Sequence, residues 1–220
     1  PNAKYLFGTD EFGRDLFARI LYGGRISMFA SLAVIGIAFV IGAIMGGAAG
    51  YLGGRVDTIL MRAVDVLMAV PSVLLAMAII TALGNGVWKL IIALAVSQVA
   101  RFARTVRASV LTLRNVEYVE AARAIGAKDA TIIFHDVLPN SLAPIIVQTT
   151  LEVASVILSI AGLSFIGLGI PAPMPEWGAM LSASRAYIRD YSYMCMFPGL
   201  AIMITILSLN LLGDGLRDAL

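Results

Sequence analysis

From Ile26 to Gly54 the chain runs without one charged side chain. A helix rises about 1.5 Å per residue, so roughly 20 apolar residues cross the ~30 Å hydrocarbon core of a bilayer. This run is longer than that, and water is not its solvent. The rest of the 220 residues agree, with 60% hydrophobic, 14% charged and a mean hydropathy of +0.90, values a soluble globule does not reach. Disorder is excluded as well, because it requires few apolar residues and uncompensated charge, whereas here 16 Lys and Arg face 14 Asp and Glu. A net charge of +2 gives no footprint for nucleic acid.

Four further apolar stretches follow. Val66 to Trp88 is the second, and a start near Ile59 would carry Arg62 and Asp65 in its first two turns. The third, Val87 to about Thr105, has Lys89 at one end and Arg101 and Arg104 at the other, which suits snorkelling of long side chains to the interfaces. The fourth runs from Leu142 to about Leu168 and holds Glu152; the fifth, Met194 to Gly213, is uncharged. The predicted fold is all-α: a polytopic membrane helix bundle with five transmembrane helices after an extracytoplasmic segment 1–25. Arg101, Arg104, Arg107, Arg114, Arg123 and Lys128 crowd into one connection, and the positive-inside rule places it in the cytoplasm. The N-terminus is then outside and the C-terminus inside. A chain that begins at Pro1 reads as a piece of a longer protein.

Within the first run Gly42, Gly46, Gly50 and Gly54 recur every four residues, a stripe that lets another helix backbone approach closely. Arg62 and Asp65, three apart, are expected to form a structural ion pair at the membrane edge. Glu152 lies roughly 15 Å past Leu142 along a helix, with no basic residue within a turn or so. A lone carboxylate at that depth faces protein or a watery pathway, and structural hydrogen bonding and a translocation role both remain open.

The connection from Asn115 to Pro139 alternates charged and apolar residues. Glu117 to Ile125 favours helix, Gly126 interrupts it, and a second amphipathic piece runs to His135 before Pro139 forces a stop. Two short helices at an angle, or an amphipathic stretch lying on the bilayer, both satisfy this pattern. Enzymatic readings find little support. There is no G-x-x-x-x-G-K-[ST] loop for ATP, a single His135 rules out a His-rich metal site, and a single Cys195 forms no internal disulfide. No metal site is expected, and the ten Met residues read as packing.

Glu120-Ala121-Ala122, three residues, Gly126 and a stretch ending Leu138-Pro139 resemble the EAA loop of bacterial ABC importer permeases. Asp136 stands where isoleucine is commonest in that motif. Gly8 to Asp15, Pro171 to Leu181 and Asn210 to Leu220 resemble the permease subunits of dipeptide, oligopeptide and nickel importers in particular. The resemblance implies a transmembrane domain over 26–220 with a cytoplasmic coupling loop over 109–140, in a family of six spans of which the first is missing here. It implies transport of peptides, or of nickel or another small solute, by alternating access. Glu120, Ala121 and Ala122 would allow docking to an ATPase, Gly126 would make the bend, and Leu138 with Pro139 would fix re-entry into the membrane. ATP and Mg2+ would be bound by partner subunits, this chain holding no cofactor. The implied partners are a second homologous permease, two ABC ATPase subunits, an extracytoplasmic solute-binding protein and membrane lipid. Glu176 and Trp177 would be exposed to the binding protein, and Gly8 to Asp15 would touch either that protein or the partner permease. An ion-coupled carrier built on Glu152 is the competing class.

Overall fold

The computed structural model describes residues 1–171 and 173–219, leaving aside the side chains of Phe134, Leu142 and Ala143. Ala172 and Leu220, which belong to the segments of resemblance above, lie outside the described residues. The architecture is all-α, and among the described residues no strand forms beyond a single bridge between Thr9 and Asp15.

The first helix, α1, spans Leu16–Leu52 and so begins ten residues before the apolar run. Asp15 explains the early start, because its side chain accepts the Phe17 N–H at the helix N-terminus. Much of the segment expected to precede the membrane is therefore the first turns of α1. Gly8 to Asp15 folds back onto the same chain: Phe7 stacks on Phe197 at 4.0 Å, and the Tyr193 hydroxyl donates to the Thr9 carbonyl at 3.1 Å. Asp10 there is held by Arg14 and Arg19 at 2.6 and 3.2 Å.

The second apolar stretch is not one helix. α2 (Gly54–Met68) and α3 (Ser72–Leu83) meet at an 84° bend, where Pro71 has no N–H to continue α2 and disfavours helix in the residue before it. α4 (Val87–Leu113) extends well beyond the expected third span. Then come α5 (Glu117–Ala124), a segment made of α6 (Asp129–Thr131), a π-helical turn Ile132–Val137 and α7 (Leu138–Asn140), and α8 (Leu142–Phe165). α9 (Trp177–Ser184) and α10 (Tyr193–Ala219) complete the chain, α10 continuing past Gly213 through Asp214 and Arg217.

By length and composition α1, α8 and α10 can cross a membrane, and the bent α2–α3 pair makes a fourth if read as one broken span. The expected count of five is not reached on those grounds, since α4 does not qualify. α4 instead occupies the interior. Leu90, Ile91, Leu94, Val99, Phe102, Val106 and Val110 along it are buried by the neighbouring helices, so its composition answers to protein rather than lipid. The glycine stripe is the reason α4 comes so close to α1: a Cβ at Gly42 would lie 2.5 Å from that of Phe102, and one at Gly50 2.9 Å from that of Val110. Gly54 does not belong to the stripe, because the chain leaves α1 at Gly53 and a Cβ on Gly54 would meet nothing within 4 Å.

Two apolar clusters divide the work. The larger joins Val34 and Ala38 of α1, Ile91 and Phe102 of α4, Val156 and Ile160 of α8, Trp177 of α9 and Ile202 of α10. The smaller gathers Ala43 and Tyr51 of α1, Val106 and Val110 of α4, and Val119, Ile132, Ile133 and Val137 of the connection, with Ile145 of α8.

Candidate functional site

The connection between α4 and α8 is a docked structure with one buried and one exposed face. On α5, Val119 is fully buried and Ala122 packs on the smaller cluster, while Glu117, Glu120, Ala121 and Ala124 point outward. Arg123 ties the helix to α1: its Nε donates to the Tyr51 hydroxyl at 3.1 Å and its guanidinium lies 5.0 Å from the ring centroid. Arg114, just after α4, donates to the Gly50 carbonyl at 3.3 Å.

The bend after α5 is a Schellman closure. Gly126 takes φ +85°, its N–H bonds the Arg123 carbonyl, and the Ala127 N–H bonds the Ala122 carbonyl. Only glycine adopts that conformation without strain, so Gly126 makes the expected turn. Ile125 beside it is 86% exposed at the tip. Pro139, by contrast, does not end the second helical piece, which continues to Asn140 and leads into α8 at Leu142. The π-helical turn Ile132–Val137 explains how: widening the helix ahead of a proline relieves the clash of its ring with the preceding turn and absorbs the missing N–H. Leu138 packs on the smaller cluster.

A second constellation lies along α4. Arg101, Arg104 and Arg107 are three apart, and each meets a carboxylate from another helix. Arg107 grips Asp57 with Nε and Nη2, both at 2.6 Å. Those bonds hold the Arg107 guanidinium above its ordinary pKa against the cost of burial. Arg104 reaches Asp65 at 2.6 Å. This corrects the expected Arg62–Asp65 pair, for Asp65 turns toward α4 rather than along its own helix, and Arg62 has no ion pair among the described residues. Arg101 donates from Nη1 to both oxygens of Glu152, at 3.1 and 3.2 Å, and Gln148 adds a bond at 2.8 Å. Glu152, 5% exposed, is therefore not a lone carboxylate. Its partner stands 51 positions away in sequence, beyond any search within a turn or so.

The expected exposure of Glu176 and Trp177 is also corrected. Glu176 is 1% exposed and receives the N–H groups of Gly178 and Ala179 at 2.8 and 2.9 Å and the Ser27 hydroxyl at 3.3 Å. Trp177 is 6% exposed and donates its indole N–H to the Ile20 carbonyl at 2.9 Å. Gly23 and Gly24 of α1 leave room for the indole, since a Cβ on either would come within about 3 Å of it. Both residues clamp α9 to α1, so the binding-protein contact expected of them is not on offer at their side chains.

Sequence reasoning passed over Asp57, Gln148 and the Tyr51–Arg123 contact, and it read Arg101 and Arg107 only as topology signals, without their partners. One signal was present: three arginines at three-residue spacing in an otherwise apolar helix demand counter-ions, and Asp57, Asp65 and Glu152 are the acids that apolar stretches leave at hand.

Residues 38–220 match the family described as "Binding-protein-dependent transport system inner membrane component". The chain belongs to that family. This inner membrane component is 49% identical over all 220 residues to the dipeptide transport system permease protein of Alkalihalophilus pseudofirmus, covering 72% of that relative. It is 44% identical over its full length to the probable D,D-dipeptide transport system permease of Escherichia coli K12, covering 74% of it, and 44% identical to the glutathione transport system permease of Pectobacterium atrosepticum, covering 73%. Its fold is shared with a chain of the MetNI methionine ABC transporter in an inward-facing conformation, at a TM-score of 0.73 and 18% identity over 92% of this chain and 96% of that one. A chain of an amino acid ABC transporter gives 0.69 at 15% identity, over 93% and 95%. The inner membrane component is thus a multi-pass transport permease subunit, all-α throughout its described residues.

Proposed function

We propose that this chain is one permease half of an ATP-binding-cassette importer that carries short peptides across the inner membrane by alternating access. The observation that carries the reading is the docked connection: α5 is anchored on its inner face to α1 and α4 and presents Glu120, Ala121 and Ile125 outward. A rigid helix held at both ends transmits a displacement to the helices beneath it, whereas a loose loop would absorb it. Residues 109–140 are then the coupling loop of a transmembrane domain over 26–220, with the N-terminus outside and the C-terminus in the cytoplasm.

In this reading two cytoplasmic ATPase subunits bind ATP and Mg2+, and their closure pushes on the exposed face of α5. Ala121 is small enough to permit close approach, and Gly126 sets the angle between α5 and the segment that follows. A second homologous permease completes the pathway, and an extracytoplasmic binding protein delivers substrate. Peptides are favoured as cargo because the relatives sharing 44–49% of this sequence are named for dipeptide, D,D-dipeptide and glutathione transport. An ion-coupled carrier is disfavoured, since Glu152 is already matched by Arg101 and Gln148.

The test is a cysteine at Ile125 in a Cys195→Ser background of the full-length protein, in membranes with its ATPase partners. A crosslink to an ATPase subunit that changes with ATP, together with uptake of labelled dipeptide, is the expected result. A reactive cysteine that never crosslinks in any nucleotide state would sink the coupling role.

A further inference from the structure

The α2–α3 break leaves non-helical backbone within an apolar stretch, and such backbone persists at membrane depth only where protein buries it or where it borders a watery cavity. A cavity of about 340 Å³ is present at this point, lined by Met68, Pro71, Ser72, Ser97 and Arg101. That volume lies in the range of small-molecule sites.

Two features of the lining favour an anion. α3 starts at Ser72 with no side chain capping it, so the N–H groups of its first turn and the positive end of its dipole face the break. Arg101 is the second. It spends only Nη1 on Glu152, and Nε and Nη2 make no hydrogen bond among the described residues, while the side chain is 43% exposed. A guanidinium paired with buried Glu152 and open on its other side to this cavity borders water rather than lipid. Glu152, buried and held also by Gln148, fixes the guanidinium in place and leaves its other edge available, the fork that binds a carboxylate through two parallel bonds.

We infer that Arg101, oriented by Glu152 and aided by the N-terminus of α3, is a subsite for the terminal carboxylate of the peptide in transit. The inference rests on the peptide-importer reading and adds which end of the cargo this half of the pathway holds. Arg101 and Glu152 together are neutral, so the entering carboxylate is met by a partial charge and one open fork rather than a full unpaired cation. Binding of that kind is weak enough to release, which a transport site requires.

The experiment is uptake into proteoliposomes by the complete complex, with the full-length chain, partner permease, ATPases and binding protein. A dipeptide is compared with its C-terminal amide, each at a concentration shown by calorimetry to saturate the binding protein. The expected result is that the wild type favours the free acid by about ten- to a hundredfold. Arg101→Gln is expected to reduce that ratio at least about tenfold, Arg101→Lys to reduce it partly, and Glu152→Gln to reduce it least, because the guanidinium remains and one side-chain oxygen still accepts from Nη1 while the ionic hold is lost. The ratio cancels a general loss of active complex, and if Arg101→Gln fails to assemble, Arg101→Lys keeps the charge and removes only the fork. An unchanged ratio in the assembled arginine variants, or a wild type indifferent to amidation, overturns the subsite while leaving peptide transport standing. A wild-type complex that takes up neither peptide overturns the peptide reading and this inference with it.

Discussion

Glu120 and Glu176 each stand at the N-terminal end of an eight-residue helix, α5 and α9, where a negative charge suits the helix dipole. Their surroundings are opposite. Glu176 is enclosed and saturated by two backbone N–H groups and a serine hydroxyl, and it serves the fold. Glu120 is exposed on a helix whose other face is packed, and the fold asks nothing of its carboxylate. Two glutamates near the start of short helices thus part company: one is an internal clamp between α9 and α1, and the other lies on a surface held rigid from behind. A polar residue with every partner inside the chain is an argument for stability, while one left open on an anchored helix is an argument for a partner.

The contrast can be broken in graded steps. The largest effect is expected from Gly46→Val, which strikes the support beneath the exposed surface, since a Cβ there would fall onto the Ala103 carbonyl oxygen. Separating α1 from α4 should cost about 3 kcal/mol, read as a lower unfolding midpoint of the purified protein in detergent. A midpoint equal to wild type would show that the two backbones are not in that contact. Glu176→Ala comes next, at about 2 kcal/mol, because it removes a cap and leaves buried donors without an acceptor. If instead Glu176→Ala melts normally but fails to respond to the binding protein, the clamp reading is wrong.

Gly126→Ala should cost about 1 kcal/mol, since the left-handed φ rather than crowding is the obstacle: no atom lies within 4 Å of the added Cβ. Its mark is a loss of peptide uptake larger than so small a change in melting would explain, and equal losses in both would contradict a role in setting the angle of α5. Glu120→Ala is the smallest in stability, within about 0.5 kcal/mol, yet it should lower ATP-dependent uptake. Full uptake by that variant would remove Glu120 from the docking surface and leave Ala121 and Ile125 to carry it.

Much of the architecture was legible in the chain itself. Long apolar runs marked α1, α8 and α10, only Glu152 interrupting that of α8, while the spacing of Gly42, Gly46 and Gly50 announced a close helix pair, and the helix formers around Glu120 with Gly126 after them marked a helix and a turn. These properties are local, written in the transfer energy of side chains and the conformational limits of the backbone. The proline effects ran against expectation at both places: the stretch expected as a single span breaks at Pro71, and Pro139 is absorbed by a π-helical turn that residue preference alone does not foretell.

What only the tertiary structure decided is the fate of the charges. Whether Glu152 is alone or paired, whether Asp65 turns to Arg62 or Arg104, and whether Glu176 is inside or out depend on which helix lies opposite. A charge in or beside a membrane is tolerated according to the partners brought to it across the bundle. Helix packing sets those partners, and spacing along the chain does not record it.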